Sequence, residues 1–454
     1  MIIKGETMSL KLTKTDERVV FLGKTAEEIP WGFVQFPRFL ETPEGDIGLY
    51  VHYEDDNPHF FGCGSYFISK DGGETFSPAT EEQKERMGKV LPNGDVLNIK
   101  LYGTKKLEGV KEHGWCFGNY RIPSDSMRIE KSSDPNVLPA PITVVNDIFE
   151  CQNKVYYLDT LPDGMCDTRF KFSRLKRGER KCETEYAPVE WKYRTIITHG
   201  DKSAYSFHDG FLYLDEPGLY ECRQIKVAPD GSLYIAHYRA HSANPYTGQF
   251  LGSASSFILR STDNGHSWKL QGFIPYVPDE KNNFFAHLVL GFDEPSIEFC
   301  DDGSMLCLMR TCDVFRGAPE WGPSYMARSY DMGKTWSKPE FFADRGALPH
   351  LLKLKNGTIL AVITRPGIFV YASDDNGKTW NVKVEIMTDK DRSKLANVVP
   401  ERPTFHQWAG SCCNTSIIAL NDDTALLAYS DFYIPDENGV KRKGIKTIRI
   451  KVEK

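Results

Sequence analysis

SKDGGETF (69–76), STDNGHSW (261–268), SYDMGKTW (329–336) and SDDNGKTW (373–380) are four copies of one pattern, Ser-x-Asp-x-Gly-x-Thr/Ser-aromatic, here called the Asp box. Each copy describes a tight hairpin. The Asp carboxylate accepts bonds from the turn amides, the Gly takes a positive φ, and the terminal aromatic closes over apolar side chains. Asp71, Asp263, Asp331 and Asp375 are therefore structural residues. A second repeat, an apolar strand, a polar turn with Gly or Asp and another apolar strand, precedes most boxes. Its copies are FPRFLETPEGDIGLYVHY (36–53), KVLPNGDVLNIKLYG (89–103), YECRQIKVAPDGSLYIAHY (220–238), EPSIEFCDDGSMLCLMR (294–310), PHLLKLKNGTILAVITR (349–365) and NTSIIALNDDTALLAYS (414–430).

These copies are expected as the two inner strands of successive blades. The chain is thus predicted to be all-β, a six- or seven-bladed β-propeller of four-stranded antiparallel blades with Asp-box hairpins. A seventh blade would come from 141–190, around NKVYYLDTLPDGM, which has blade length but no box. No linker divides the chain, so residues 1–454 read as one domain, with 1–16 as a tail and the propeller from about residue 17. RVVFLGK (18–24) is placed beside GIKTIRIKV (444–452), completing the last blade. Stretches near 193–218, 276–290 and 389–407 fall between repeats and are expected as loops over one face.

Composition narrows the function classes. Hydrophobic residues at 40%, aromatics at 12% and 37 glycines describe a turn-rich chain with ample core material. The 56 basic and 62 acidic residues leave a formal charge of −6, which argues against broad electrostatic binding of nucleic acid or an anionic membrane. The first twenty residues lack the apolar run of a signal peptide and no stretch approaches a membrane span, so a cytoplasmic protein is expected. Eleven cysteines show no CxxC pair and no metal-ligand spacing, and most are expected as buried free thiols. No cofactor or metal constellation is recognisable.

In a propeller the inner strands line a central channel, so corresponding places in the repeats converge. At the start of the first inner strand the copies offer Arg38, Glu221 with Arg223, Glu294, His350 and Asn414. Near the end of the second they offer His52, His237 with Arg239, Arg310, Arg365 and Tyr429. Buried charge is costly unless it is paired or meets a ligand. Three arginines suit a carboxylate-bearing ligand, because guanidinium donates in a planar fork matched to two oxygens. The structural alternative is that each arginine pairs with a neighbouring Asp or Glu.

With its Asp boxes, the chain resembles the sialidase superfamily from Phe36 to Lys451. The resemblance implies an arginine on the first inner strand, matched by Arg38 in FPRF, and a glutamate ahead of a strand-turn-strand ending in a second arginine, matched by Glu294 and Arg310. The third arginine is Arg365. It further implies that the arginines hold a substrate carboxylate, that a glutamate assists a tyrosine nucleophile, and that an acid from the first blade protonates the leaving group. Asp55 and Asp56 in HYEDDNPHFF are the candidates for that acid, with His52 and His59 nearby. The position of the tyrosine is taken by Asn414 in GSCCNTSIIAL, leaving Tyr429, Cys412 and Cys413 as candidates.

HYRAHSANPY (237–246) supports a competing expectation. Propellers with related sequences include polysaccharide lyases and rhamnosidases acting next to uronic acids. In such lyases a His or Tyr removes a proton beside a carboxylate and an arginine neutralises the developing charge, roles open to His237, Arg239, His241 and Tyr246. The expectation is an exo-glycosidase acting on a terminal acidic sugar of a small or oligosaccharide substrate. A uronate lyase or rhamnosidase-type enzyme and a non-catalytic carbohydrate-binding propeller are the alternatives.

Overall fold

The computed structural model describes residues 10–25, 27–28, 34–52, 64–99, 169–190, 224–243, 250–274, 276–283, 286, 289–313, 322–365, 367–387 and 414–454, with short strands at 120–123, 128–129, 156–157 and 211–214. Side chains on a strand alternate between its two faces, yet all six residues of Ile47–His52 and all six of Ile359–Thr364 are buried. A strand buried on both faces needs cover on both sides. Each blade is therefore held between two others, and six antiparallel four-stranded blades result.

The first blade consists of Gln35–Glu41, Ile47–His52, Gly64–Ser69 and Ser77–Pro78. The second is Lys89–Val90, Val96–Ile99, Arg169–Leu175 and Glu183–Glu190. The third is Lys226–Val227, Leu233–Ala243, Phe250–Ser261 and Trp268–Ile274. Val289–Phe299, Met305–Asp313, Ser324–Ser329 and Glu340–Ala343 form the fourth. His350–Lys353, Ile359–Thr364, Ile368–Ser373 and Val382–Met387 form the fifth. The sixth joins Thr415–Ala419, Thr424–Pro435 and Lys441–Glu453 to Lys11–Leu22.

All six inner-strand pairs expected from the repeats are present. The seventh blade is not: the later part of 141–190 supplies the two outer strands of the second blade, pairing Phe172 with Ile99 and Glu185. A long insertion between Ile99 and Arg169 separates those strands from their inner partners, which is why the stretch looked like a blade of its own. The closing strand runs antiparallel to the C-terminal one, from Lys11 opposite Glu453 to Leu22 opposite Gly444. It thus begins inside the stretch read as a tail.

Alternation divides each second strand between two interfaces. Leu233 and Ile235 pack with Leu97 and Phe172 of the second blade, whereas Tyr234 and Ala236 pack with Met305 and Cys307 of the fourth. The same parity continues round the ring. Leu306 and Leu308 meet Ile359 and Ala361, Leu360 and Val362 meet Ala425 and Leu427, and Ala428 meets Leu49 and Val51. Tyr50 meets Met87 and closes the circuit.

The Asp boxes join third strands to fourth strands and also rivet blade to blade. In the fifth blade Asp375 accepts from the Thr379 amide at 2.9 Å, the Thr379 hydroxyl at 2.7 Å and the Ser373 hydroxyl at 2.6 Å, while Trp380 Nε1 donates to Gly377 O at 3.1 Å. The residue before each box glycine is also left-handed, and its carbonyl accepts a side chain of the preceding blade. Arg449 reaches Gly72, Arg174 reaches Asn264, Gln271 reaches Met332 and Arg328 reaches Asn376, at 2.7–3.0 Å. At Gly377, with φ +73°, an added Cβ would lie 2.4 Å from Leu306 of the fourth blade, so turn geometry and close approach both demand glycine.

Partial burial tends to raise the Asp375 carboxyl, but the bonds from Ser373 and Thr379 outweigh it and hold the group at about 2. A folded value below the unfolded one means that this contribution is complete above about pH 4 and is lost as pH falls toward about 2. Acid unfolding of Asp375→Asn, followed by tryptophan fluorescence, is expected to show a shallower pH dependence across that window than the parent protein.

Candidate functional site

The inner strand pairs of the first, fourth, fifth and sixth blades end in buried polar residues: Gln35 and His52, Glu294 and Thr311, His350 and Thr364, Asn414 and Ser430. In the fourth blade the register breaks between Asp293 and Ser296, a β-bulge that holds Glu294 at φ +52° immediately before Pro295. The first blade repeats the bulge with Phe36, at φ +48° before Pro37, and in the fifth Leu348, at φ +47° before Pro349, has the same conformation just ahead of the first strand. Non-glycine residues in this region carry strain that persists where surrounding contacts over-determine them. Here the contact is specific: Glu294 Oε2 lies 2.7 Å from Arg310 Nε and accepts the Leu348 amide at 2.6 Å. Both side chains are largely buried. The bulge thus presents its carboxylate to the backbone that leads into the next blade.

Arg365 stands just past Ile359–Thr364, buried, at φ +51°, with its amide donating to Gly367 O at 2.9 Å. Buried polar links continue round the mouth. His350 Nε2 lies 2.7 Å from Thr415 O, and Asn414 donates to Gln35 Oε1 at 2.9 Å. His52, opposite Gln35 in register, is buried with Nδ1 3.2 Å from the Tyr50 hydroxyl.

Arg38 faces a neighbouring part of the channel. It lines a cavity of about 140 Å³ in the central channel with Lys89, Asn98, Gln224 and Lys226. Its guanidinium donates to Asn98 Oδ1 at 3.4 Å and lies 5.7 Å from the Tyr50 ring centre. Glu294, Arg310 and Arg365 are not part of this wall. Two lysine–glutamate pairs also border the channel. Lys226 Nζ is 2.7 Å from Glu298, and Lys89 Nζ is 2.5 Å from Glu41. The sequence reading missed these four residues, although Lys89, Lys226 and Glu298 occupy the same place in three repeats, two residues before the one that opens the turn.

Two candidates point elsewhere. Tyr429 shares its strand parity with Leu427 and packs in the core between the fifth and sixth blades, its hydroxyl donating to Glu17 of the closing strand. Burial, reinforced by that carboxylate, pushes the phenol well above its ordinary range. His237 is buried and stacked on Phe257, 5.7 Å between ring centres, at the core between the second and third blades. Neither is placed to act as a nucleophile or base in the channel. One residue of register separates these faces, and that step is what the repeat alignment overlooked.

Arg239 and His241 lie on Leu233–Ala243, with Arg239 inside a bulge, but their side chains fall outside the described residues. So do Asp55, Asp56, His59, Glu221, Arg223, Tyr246, Cys412 and Cys413 entirely. Cys182, Cys300 and Cys307 are free thiols, and burial raises the latter two. Among the described residues no three His, Cys, Asp or Glu side chains gather as metal ligands.

No protein-family model and no curated protein matches the chain. Among solved structures it is similar to a protein of unknown function from Dyadobacter fermentans, at 15% identity over 97% of this chain and 99% of that one, TM-score 0.49. It is also similar to a Penicillium chrysogenum α-L-arabinanase complexed with arabinobiose, at 12% identity over 96% and 98%, TM-score 0.44. A Hadza microbial sialidase is matched at 12% identity over 93% of this chain and 66% of that one, TM-score 0.41.

Tyr429→Phe separates the packing role from a chemical one. The variant is expected to lose about 1–2 kcal/mol of stability in denaturant titration, from the missing bond to Glu17, while any glycosidase turnover stays at the parent level.

Proposed function

We propose that the protein is a glycoside hydrolase that takes a terminal acidic sugar at the channel mouth. Glu294 serves as its acid–base group, with Arg310 and Arg365 directed at the substrate carboxylate. The observation that carries this reading is the Glu294 bulge: a left-handed residue before proline whose carboxylate is held between Arg310 and the Leu348 amide. At the first strands of the blades the left-handed residue before proline recurs at Phe36 and Leu348, and of these three Glu294 alone carries an ionisable group, fixed in one orientation as a reacting group requires.

With Tyr429 in the core and Asn414 turned to Gln35, water is the nucleophile in this scheme. Water adds to the anomeric carbon as the bond to the leaving oxygen breaks, Glu294 takes the proton released by the water, and an acid protonates the leaving oxygen. Asp55 or Asp56 is proposed for that acid. The sugar carboxylate accepts from the guanidinium forks, which fixes the anomeric carbon relative to Glu294 and the attacking water.

Aryl sialosides and aryl uronides, with products analysed by mass, test the reading. A product heavier by one water is expected. An unsaturated sugar, or binding without turnover, overturns it. Glu294→Gln keeps an acceptor for the Leu348 amide and is expected to lower kcat by about 10²–10⁴-fold. Arg310→Lys keeps the charge opposite Glu294 but loses the planar fork, so a raised KM is expected with the fold intact by circular dichroism. Full activity in both variants removes Glu294 and Arg310 from the mechanism.

A further inference from the structure

The channel cavity carries chemistry that the mouth does not use. Two residues before the turn-opening position, the six repeats place Leu40, Lys89, Lys226, Glu298, Leu352 and Ile418. The second, third and fourth blades thus make this level of the channel polar, and the other three make it apolar.

Two cations in the polar half are already matched. Glu298 accepts Lys226 Nζ at 2.7 Å and the Lys353 amide at 3.0 Å through Oε2, and the Phe299 amide at 3.0 Å through Oε1. Glu41 accepts Lys89 Nζ at 2.5 Å and the Val90 amide at 3.1 Å. Both carboxylates are neutralised and largely satisfied. Arg38 is different. Its contacts are the long bond to Asn98 and the face of Tyr50, and no carboxylate among the described residues lies within ion-pair distance of it. Its Nε is buried without an acceptor.

Among the described residues the wall therefore carries one uncompensated positive charge beside two lysine ammonium groups. Each ammonium has three hydrogens, of which Lys89 commits one and Lys226 two to the bonds described. The cavity they share, about 140 Å³, is many times the ~10–15 Å³ that a single water needs. Planar guanidinium donors together with spare ammonium hydrogens are the recognition chemistry of a compact oxyanion. We propose that the central channel binds such an anion, a phosphate or small carboxylate, between Arg38 of the first blade, Lys89 of the second and Lys226 of the third.

Its role is cohesion of the ring. Lys89–Val90 and Lys226–Val227 are two-residue strands, so the second and third blades reach the channel with few backbone bonds. An anion held from three consecutive blades ties that segment together at the axis. The site does not depend on the hydrolase reading, because Glu294, Arg310 and Arg365 lie outside the cavity wall.

Thermal unfolding in sodium phosphate and in sodium acetate, each against sodium chloride at equal ionic strength, tests the proposal on the full chain. A saturable rise of roughly 1–2 °C at ten times the Kd is expected, with one site per chain by calorimetry. Phosphate alone being effective assigns the site to phosphate, and an equal effect of acetate assigns it to carboxylates. Arg38→Gln is expected to weaken binding about 10–100-fold. Arg38→Lys keeps the charge without the fork and serves where the first variant fails to fold. Lys355→Gln, at an exposed site, and Glu294→Gln are expected to bind as the parent does. An identical rise in chloride, no saturable shift with either oxyanion, or undiminished affinity in both Arg38 variants overturns the proposal.

Discussion

Every blade of this molecule is apolar on both faces, and that single constraint organises the rest. A sheet with one apolar face is satisfied by one partner. A sheet with two, such as the fifth blade with Ile359 and Ala361 on one side and Leu360 and Val362 on the other, leaves a face open unless the stack closes into a ring. Removing one large side chain from such an interface costs about 2–5 kcal/mol, so an entire open face is not tolerable. Pairing of the N-terminal and C-terminal strands within the sixth blade is how the chain achieves closure, with backbone bonds as the clasp.

The interfaces are apolar, so polar residues collect where interfaces end, at the axis and at the mouth. Charge placed there is costly unless compensated, and the compensation is local: Lys226 with Glu298, Lys89 with Glu41, Arg310 with Glu294. Ion pairs of this kind, partly or largely withdrawn from water, are weak devices for stability. Those at the axis border a cavity, and the one at the mouth sits on a strained bulge, so both places are suited to recognition rather than packing.

Much of this architecture was legible because its signals are local. The Asp box is a turn whose donors and acceptor lie within a few residues of one another, and its four copies are visible in the sequence as they stand in the structure. Its second function, docking its carbonyl on Arg449, Arg174, Gln271 or Arg328 of the preceding blade, joins residues far apart in the chain and has no sequence signature. The site was less legible for a reason of register. Repeat alignment places Tyr429 and His237 level with Met309, Ile363 and Val51, which face the core, and Arg310 level with His52 and Thr364. Treating both sets as channel residues merged two faces that the strand separates.

The sequence by itself determined that the chain is a propeller: hairpin turns, strand alternation and repeat spacing are set by short-range sterics and hydrogen bonding, and they recur often enough to be unmistakable. It also determined that Glu294 and Arg310 meet, since strand, turn and strand bring them opposite each other within one hairpin. Only the tertiary structure decided that there are six blades, that Tyr429 spends its hydroxyl on Glu17, and that Arg38 joins Lys89 and Lys226 at the axis. Those outcomes depend on which blade faces which once the ring has closed, and ring closure is a property of all six interfaces together.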